Sequence, residues 1–217
     1  MEEIEIEGIK YNVELINEKD SNDTKTYKVI IIGKMGVGKS SIALRFMNKN
    51  LKTEPTLSVD IASFKIKVNE KIIKIQLWDS CGNEEFAKQT PNLFVNTSLS
   101  IIVYAMNDKE SFEAVKTWYN ILISYNPNCL KYLIGNKNDL EKEREVQMQD
   151  GEKLKEDYDF NLFLETSAES GFNIKKLLKN IAVSIYQKEK KEEEKMENPQ
   201  KTIKLKLEKN KKKKRKC

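Results

Sequence analysis

Gly33-Lys34-Met35-Gly36-Val37-Gly38-Lys39-Ser40 fits the spacing GxxxxGK[ST] and stands between the strand-like run Lys28–Ile32 and the amphipathic stretch SSIALRFM at 40–47. Strand, glycine loop and helix in that order is the context in which the spacing carries chemistry. A chain of phosphates needs donors all around it, and backbone N–H groups supply them only where glycines let the main chain approach and turn sharply. The candidate phosphate set is therefore Gly33, Met35, Gly36, Val37, Gly38, Lys39, Ser40 and Ser41. Lys39 would reach the terminal phosphates and Ser40 would ligate Mg²⁺. The helix that follows would present its positive end to the anion. Taken alone, the same letters also describe a plain glycine turn, so the flanking sequence has to decide.

Working outward, apolar runs of strand length alternate with segments of helical period. The strands expected are 27–33, 59–68, 71–79, 99–106, 130–135 and 160–166, and the helices 39–48, 84–95, 109–124, 147–157 and 172–188. Asn69 and Glu70 separate the second and third strands by a two-residue turn, which makes that pair an antiparallel hairpin. The remaining connections are long enough to hold helices and call for parallel crossovers. The expected architecture is a six-stranded, mostly parallel α/β sheet flanked by about five helices, with ligands at the carboxyl ends of the strands.

Three more segments lie at those ends, in order. Asp79 in Trp78-Asp79-Ser80-Cys81-Gly82 would bring a carboxylate to the metal, and the Gly82 N–H would sit where a terminal phosphate lies. In Asn136-Lys137-Asn138-Asp139, the Asp139 carboxylate can accept hydrogen bonds from the N1–H and exocyclic amine of guanine, a donor pair that adenine does not offer. In Thr166-Ser167-Ala168, a backbone N–H could donate to the guanine carbonyl.

With these residues in hand the chain resembles the Ras superfamily of small GTPases, and its Rab branch most closely, over about residues 27–188. The resemblance rests on GKMGVGKS, Thr56, WDSCG, NKND and TSA, with KIQLWD and EEFAKQT as Rab-like stretches. It implies a P-loop GTPase fold and a GTP/GDP switch with Mg²⁺ as cofactor. Lys39 and Ser40 would hold phosphate and metal, and Thr56 would close over the metal, which Ser40, Thr56 and Asp79 would share. Gly82 would sense the terminal phosphate, and Asn136, Lys137, Asp139, Ser167 and Ala168 would select guanine. Lys39, Thr56, Gly82 and Asn83 form the expected catalytic group. Effector, exchange-factor and activating proteins are the partners implied, together with a role in vesicle traffic. The chain is expected to be monomeric, and no nucleic acid is expected as a partner.

Several positions depart from that pattern. Asn83 stands where relatives usually carry the glutamine that orients water. Its amide is one methylene shorter, and a displacement of about 1 Å can cost roughly a hundredfold in rate, so slow hydrolysis is expected. Met35 replaces a small residue and would either crowd an incoming arginine finger or point into solvent. The stretch from Ser40 to Thr56 is shorter than usual. Leu51 takes the place of an aromatic that covers the base, and Glu169 that of a lysine. A GTP-holding scaffold that scarcely hydrolyses is the alternative to a turning-over enzyme.

Composition sets outer limits. The chain has 217 residues and no histidine, which removes Ser-His-Asp and Cys-His catalysis. Cys81, Cys129 and Cys217 are too scattered for a disulfide framework. Charge is segregated: residues 1–23 hold eight acidic and two basic residues, whereas 201–217 hold ten basic residues and Glu208 alone as an acid. The organisation expected is an acidic extension (1–26) with one short strand, the domain (27–188), and a charged tail (189–217). The opposed signs would let the extension clamp the tail. Cys217 after the basic run 209–216 would, by the resemblance, be prenylated. A lipid plus a basic patch would anchor the protein at the cytoplasmic face of an intracellular membrane. A solvated, nuclear-localising or RNA-binding basic tail is the competing reading of the same residues.

Overall fold

Val29, Ile30, Ile31 and Ile32 are all fully buried, as a strand requires when both faces of its sheet are covered. They belong to β3 (Thr26–Ile32) in a computed structural model that describes residues 2–6, 8–16, 24–51, 56 and 58–197. The basic run 209–216 and Cys217 lie outside the described residues. Val29 and Ile31 face one hydrophobic core, and Ile30 and Ile32 face the other. At about 1.5–3 kcal/mol for each side chain taken from water, this strand is a strong local anchor of the sheet.

Around β3 the sheet runs β1-β2-β4-β5-β3-β6-β7-β8. The other strands are β1 (Glu2–Ile6), β2 (Ile9–Ile16), β4 (Val59–Val68), β5 (Lys71–Ser80), β6 (Thr97–Ala105), β7 (Leu130–Asn136) and β8 (Leu162–Glu165). β3 pairs in parallel with β5 on one side and β6 on the other, and β7 and β8 continue in parallel. The chain turns from one half of the sheet to the other at β3, and the glycine loop leaves β3 at that point, the usual ligand position of such sheets. Helices α1 (Lys39–Phe46), α2 (Glu84–Gln89), α3 (Lys109–Glu113), α4 (Val115–Tyr125), α5 (Met148–Asp157) and α6 (Ile174–Glu197) flank it. The expected helix at 84–95 is shorter and gives way to a 3₁₀ turn over Pro91–Leu93. The expected 109–124 segment divides at Ala114.

All six expected strands are present, but the sheet has eight. The extra two come from the N-terminal extension, where one short strand was expected. Gly8, at φ 76°, turns β1 back on β2 as an antiparallel pair, and β2 then pairs antiparallel with β4 from Val13↔Val68 to Ile16↔Lys65. Asn69, the left-handed turn residue of the β4–β5 hairpin (φ 53°), latches this addition. Its Oδ1 accepts from the Asn12 N–H at 3.0 Å, and its own N–H donates to the Asn12 carbonyl at 2.8 Å. Tyr11 and Val13 are buried in the same core as α1 and α6. The alternation of Glu with Ile in β1 hides its apolar face within a stretch that reads as merely acidic.

α6 runs past residue 188 to Glu197. Its late turns are held at the far pole of the sheet by the nearly buried Glu189, which meets Lys71 at 3.0 Å and Lys25 at 3.9 Å. Those lysines and the nearby Tyr27 hydroxyl keep the Glu189 carboxyl below its usual range despite the opposing cost of burial.

Candidate functional site

The loop after β3 adopts backbone angles that its glycines permit. Gly38 has φ 93°, and a Cβ there would lie 2.3 Å from Nδ2 of Asn136, so no other residue fits without displacing that amide. Val37 is fully buried, Gly33 is buried where β3 ends, and Gly36 is exposed. α1 begins at Lys39 without a side-chain cap, leaving its first N–H groups to a ligand. Ser41 lies half-buried in the first turn. Met35 projects to solvent, 66% exposed.

Lys39 is only 5% exposed, and its Nζ donates to the Lys34 carbonyl at 2.9 Å. Burial pushes its pKa down to about 8, against an opposing pull from Asp79. A cation held this dry is matched to an anion that is itself stripped of water. Gly82, at φ 77°, comes so close that a Cβ there would lie 2.5 Å from Lys39 Nζ and 2.7 Å from the Met35 nitrogen. The ammonium, the loop nitrogens and Gly82 thus surround one small space that a side chain at 82 would fill.

Beside it stand three oxygen-bearing residues. The Ser40 and Thr56 hydroxyls are 2.6 Å apart, and Thr56 Oγ1 lies 3.5 Å from Asp79 Oδ2. Asp79 is 4% exposed, its other oxygen has no hydrogen-bond partner, and burial raises its pKa. A buried carboxylate oxygen without a partner next to two hydroxyls is the donor set that suits a hard cation. The residues fit Mg²⁺.

The opposite end is tied by Asn136. Its Nδ2 donates to the Val37 carbonyl at 2.9 Å, and its Oδ1 accepts from Thr166 Oγ1 at 3.1 Å and Ala168 N–H at 3.2 Å. One side chain therefore joins the phosphate loop to both downstream segments. Lys137 follows with φ 68°. Asp139 is exposed, with one carboxylate oxygen accepting from the Ser167 hydroxyl at 2.5 Å. Ser167 is fully buried and Ala168 nearly so.

Asn83 does something the sequence reading did not assign. Its Oδ1 accepts from the Phe86 N–H at 3.0 Å, so it caps α2. The pattern Asn-Glu-Glu-Phe carries that signal. Arg45 was also missed: its Nε and a terminal nitrogen donate to the Ala168 and Glu169 carbonyls, each at 2.6 Å. A single cation in the last turn of α1, after the apolar Ile42-Ala43-Leu44, was its only sign. Arg144 and Glu165 form a further unforeseen pair at 2.8 Å, and Glu165 also accepts from Asn138 Nδ2 at 3.2 Å, bracing the segment before Asp139. Phe64 is buried core, while the half-buried Trp78 ring lies 3.8 Å from Lys28 Nζ. Leu51 is half-buried, and Cys81 and Cys129 are free thiols.

The family model described as Ras family matches residues 28–187, a span that holds every one of these groups.

Proposed function

The chain belongs to the Ras family, and from that premise we propose that it is a Rab-like small GTPase, a GTP/GDP switch that hydrolyses slowly and acts in membrane traffic. The observation that carries the nucleotide reading is the single side chain of Asn136, which joins a phosphate cradle to a segment bearing a guanine-selecting carboxylate. In this reading Lys39 and the loop N–H groups bind the phosphates. Ser40, Thr56 and Asp79 hold Mg²⁺, which when bound neutralises charge on the phosphate oxygens. Asp139 takes the guanine edge, with Ser167 fixing the carboxylate's orientation, and the Ala168 segment lies beside it. The Gly82 N–H reports the terminal phosphate to α2. Effectors read the order of Thr56 and α2, and exchange or hydrolysis releases it.

Slow turnover is supported by Asn83. Its amide oxygen already holds the Phe86 N–H, so orienting water would require giving up the cap as well as spanning a missing methylene. The same contact favours a second reading, a GTP-loaded scaffold for effectors. KIQLWD and EEFAKQT support the Rab-like assignment. Cys217 with the 209–216 run supports a prenylated, peripheral protein on a cytoplasmic membrane face. Residues 27–188 are proposed as the GTPase unit, acting as a monomer.

The nucleotide that copurifies and its single-turnover hydrolysis test this. We expect a guanine nucleotide and a rate that Asn83→Gln raises about tenfold or more. Copurified GTP that persists unhydrolysed in both proteins identifies the scaffold. Equal ATP and GTP affinity overturns the whole reading.

A further inference from the structure

The sheet's outermost strand has a free side. β1 pairs with β2, and among the described residues no strand lies on its outer flank. Glu2, Ile4 and Ile6 share the face turned to α6. There Glu2 meets Lys179 at 2.6 Å, and Ile4 and Ile6 pack partly buried against the core. Glu3 and Glu5 stand exposed on the opposite face. Among the described residues Glu3 pairs only with the exposed Lys10, at 3.2 Å, and Glu5 has no ion pair. Unpaired backbone groups along such an edge are a template for another strand.

Beyond α6 the sequence reads Ile203-Lys204-Leu205-Lys206-Leu207. Strict alternation of apolar residues with lysine is a strand pattern, and it is the charge complement of Glu2-Glu3-Ile4-Glu5-Ile6. We infer that residues 203–207 of the chain add to the free side of β1 as an antiparallel strand. Ile203 then lies opposite Ile6, Lys204 opposite Glu5, Leu205 opposite Ile4, and Lys206 opposite Glu3.

Direction and reach agree with this. Lys175 and Lys179, early in α6, meet Glu2. Later in the helix, Tyr186 and Gln187 meet Tyr11, the partner of Ile4 in register. α6 and β1 therefore run the same way, and a chain that leaves α6 and folds back along β1 is antiparallel to it. From Gln187 to Glu197 the helix advances about 15 Å. Residues 198–202, with Pro199 among them, span up to about 18 Å for the return. This register places both lysines on the face of Glu3 and Glu5, and Ile203 and Leu205 beside Ile4 and Ile6 in the angle under α6. The main-chain ladder and two opposite-charge cross-strand pairs favour docking. Ordering five residues opposes it, and the exposed pairs are weakened by salt. The strand therefore docks in a salt-sensitive equilibrium and holds Lys204 and Lys206 away from any anionic surface while bound.

Hydrogen exchange on the full chain at low salt, dilute enough to be monomeric, tests the pairing. Alternate amides within 203–207, those that face β1, should exchange about tenfold or more slowly than those of 211–216. The slowing should be lost in Glu3→Lys/Glu5→Lys and in Lys204→Glu/Lys206→Glu, and regained when the four changes are combined. Uniformly fast exchange along the tail, or slowing that ignores these reversals, overturns the inference. Slowing that disappears on dilution together with a dimer places another copy's tail on β1 and equally overturns it.

Discussion

The two ends of the site are finished to different degrees. At the proposed purine end Asn136 is satisfied on both its amide atoms, and Asp139 is already oriented by Ser167. At the phosphate end Asp79 keeps a buried oxygen without a partner, and Lys39 is dried until its pKa falls to about 8. One end satisfies its own polar groups, and the other keeps buried polar groups that the proposed ligands would satisfy. In the proposed reading, affinity at the first end would come from preorganisation, and at the second from relieving a cost of burial.

Breaking the finished end should have the largest effect. Asn136→Ala strips partners from the Val37 carbonyl, the Thr166 hydroxyl and the Ala168 N–H together, and should lower stability by about 3 kcal/mol. Urea unfolding of the nucleotide-free protein measures it, and a midpoint near wild type would mean that the tie is ornamental. Asp139→Ala leaves that scaffold standing and removes the purine acceptor, so preference for guanosine over adenosine phosphates should fall by about a hundredfold with little change in unfolding. Competition binding of the two nucleotides reads this directly. The smallest effect sharpens the contrast from the unfinished end. Asp79→Asn removes a charge whose cost of burial outweighs the pull of Lys39, so the ligand-free protein should gain about 1 kcal/mol, while the stabilisation that Mg²⁺ adds to the nucleotide complex disappears. Thermal unfolding with and without metal separates those outcomes, and a destabilised ligand-free variant would show that Asp79 is already satisfied.

The sequence was most legible where a local rule and the tertiary structure agree. β4 is found over the residues its alternation predicts, and the Asn69 turn has the left-handed backbone that asparagine tolerates. The phosphate loop and its partners could be read because few residue types meet their geometric demands. β1 and β2 were less legible, since the apolar face of a charged alternating strand shows itself only once a neighbour such as β4 supplies a core to cover it. Asn83 was read for the position it fills in relatives, although the local signal for a helix cap was present in Asn83-Glu84-Glu85-Phe86. Arg45 lay beyond sequence reasoning because its partners are carbonyls more than a hundred residues away. A backbone acceptor leaves no mark in the identity of the residue that carries it.

The grip of Arg45 on Ala168 and Glu169 also has a mechanical meaning. In the proposed reading the helix whose first turn would face the phosphates ends in a hand that holds the loop beside the base, so the two would behave as one yoke. A regulator that tilts this helix need not touch the purine to loosen it, because prising at the phosphates would be felt across the whole nucleotide.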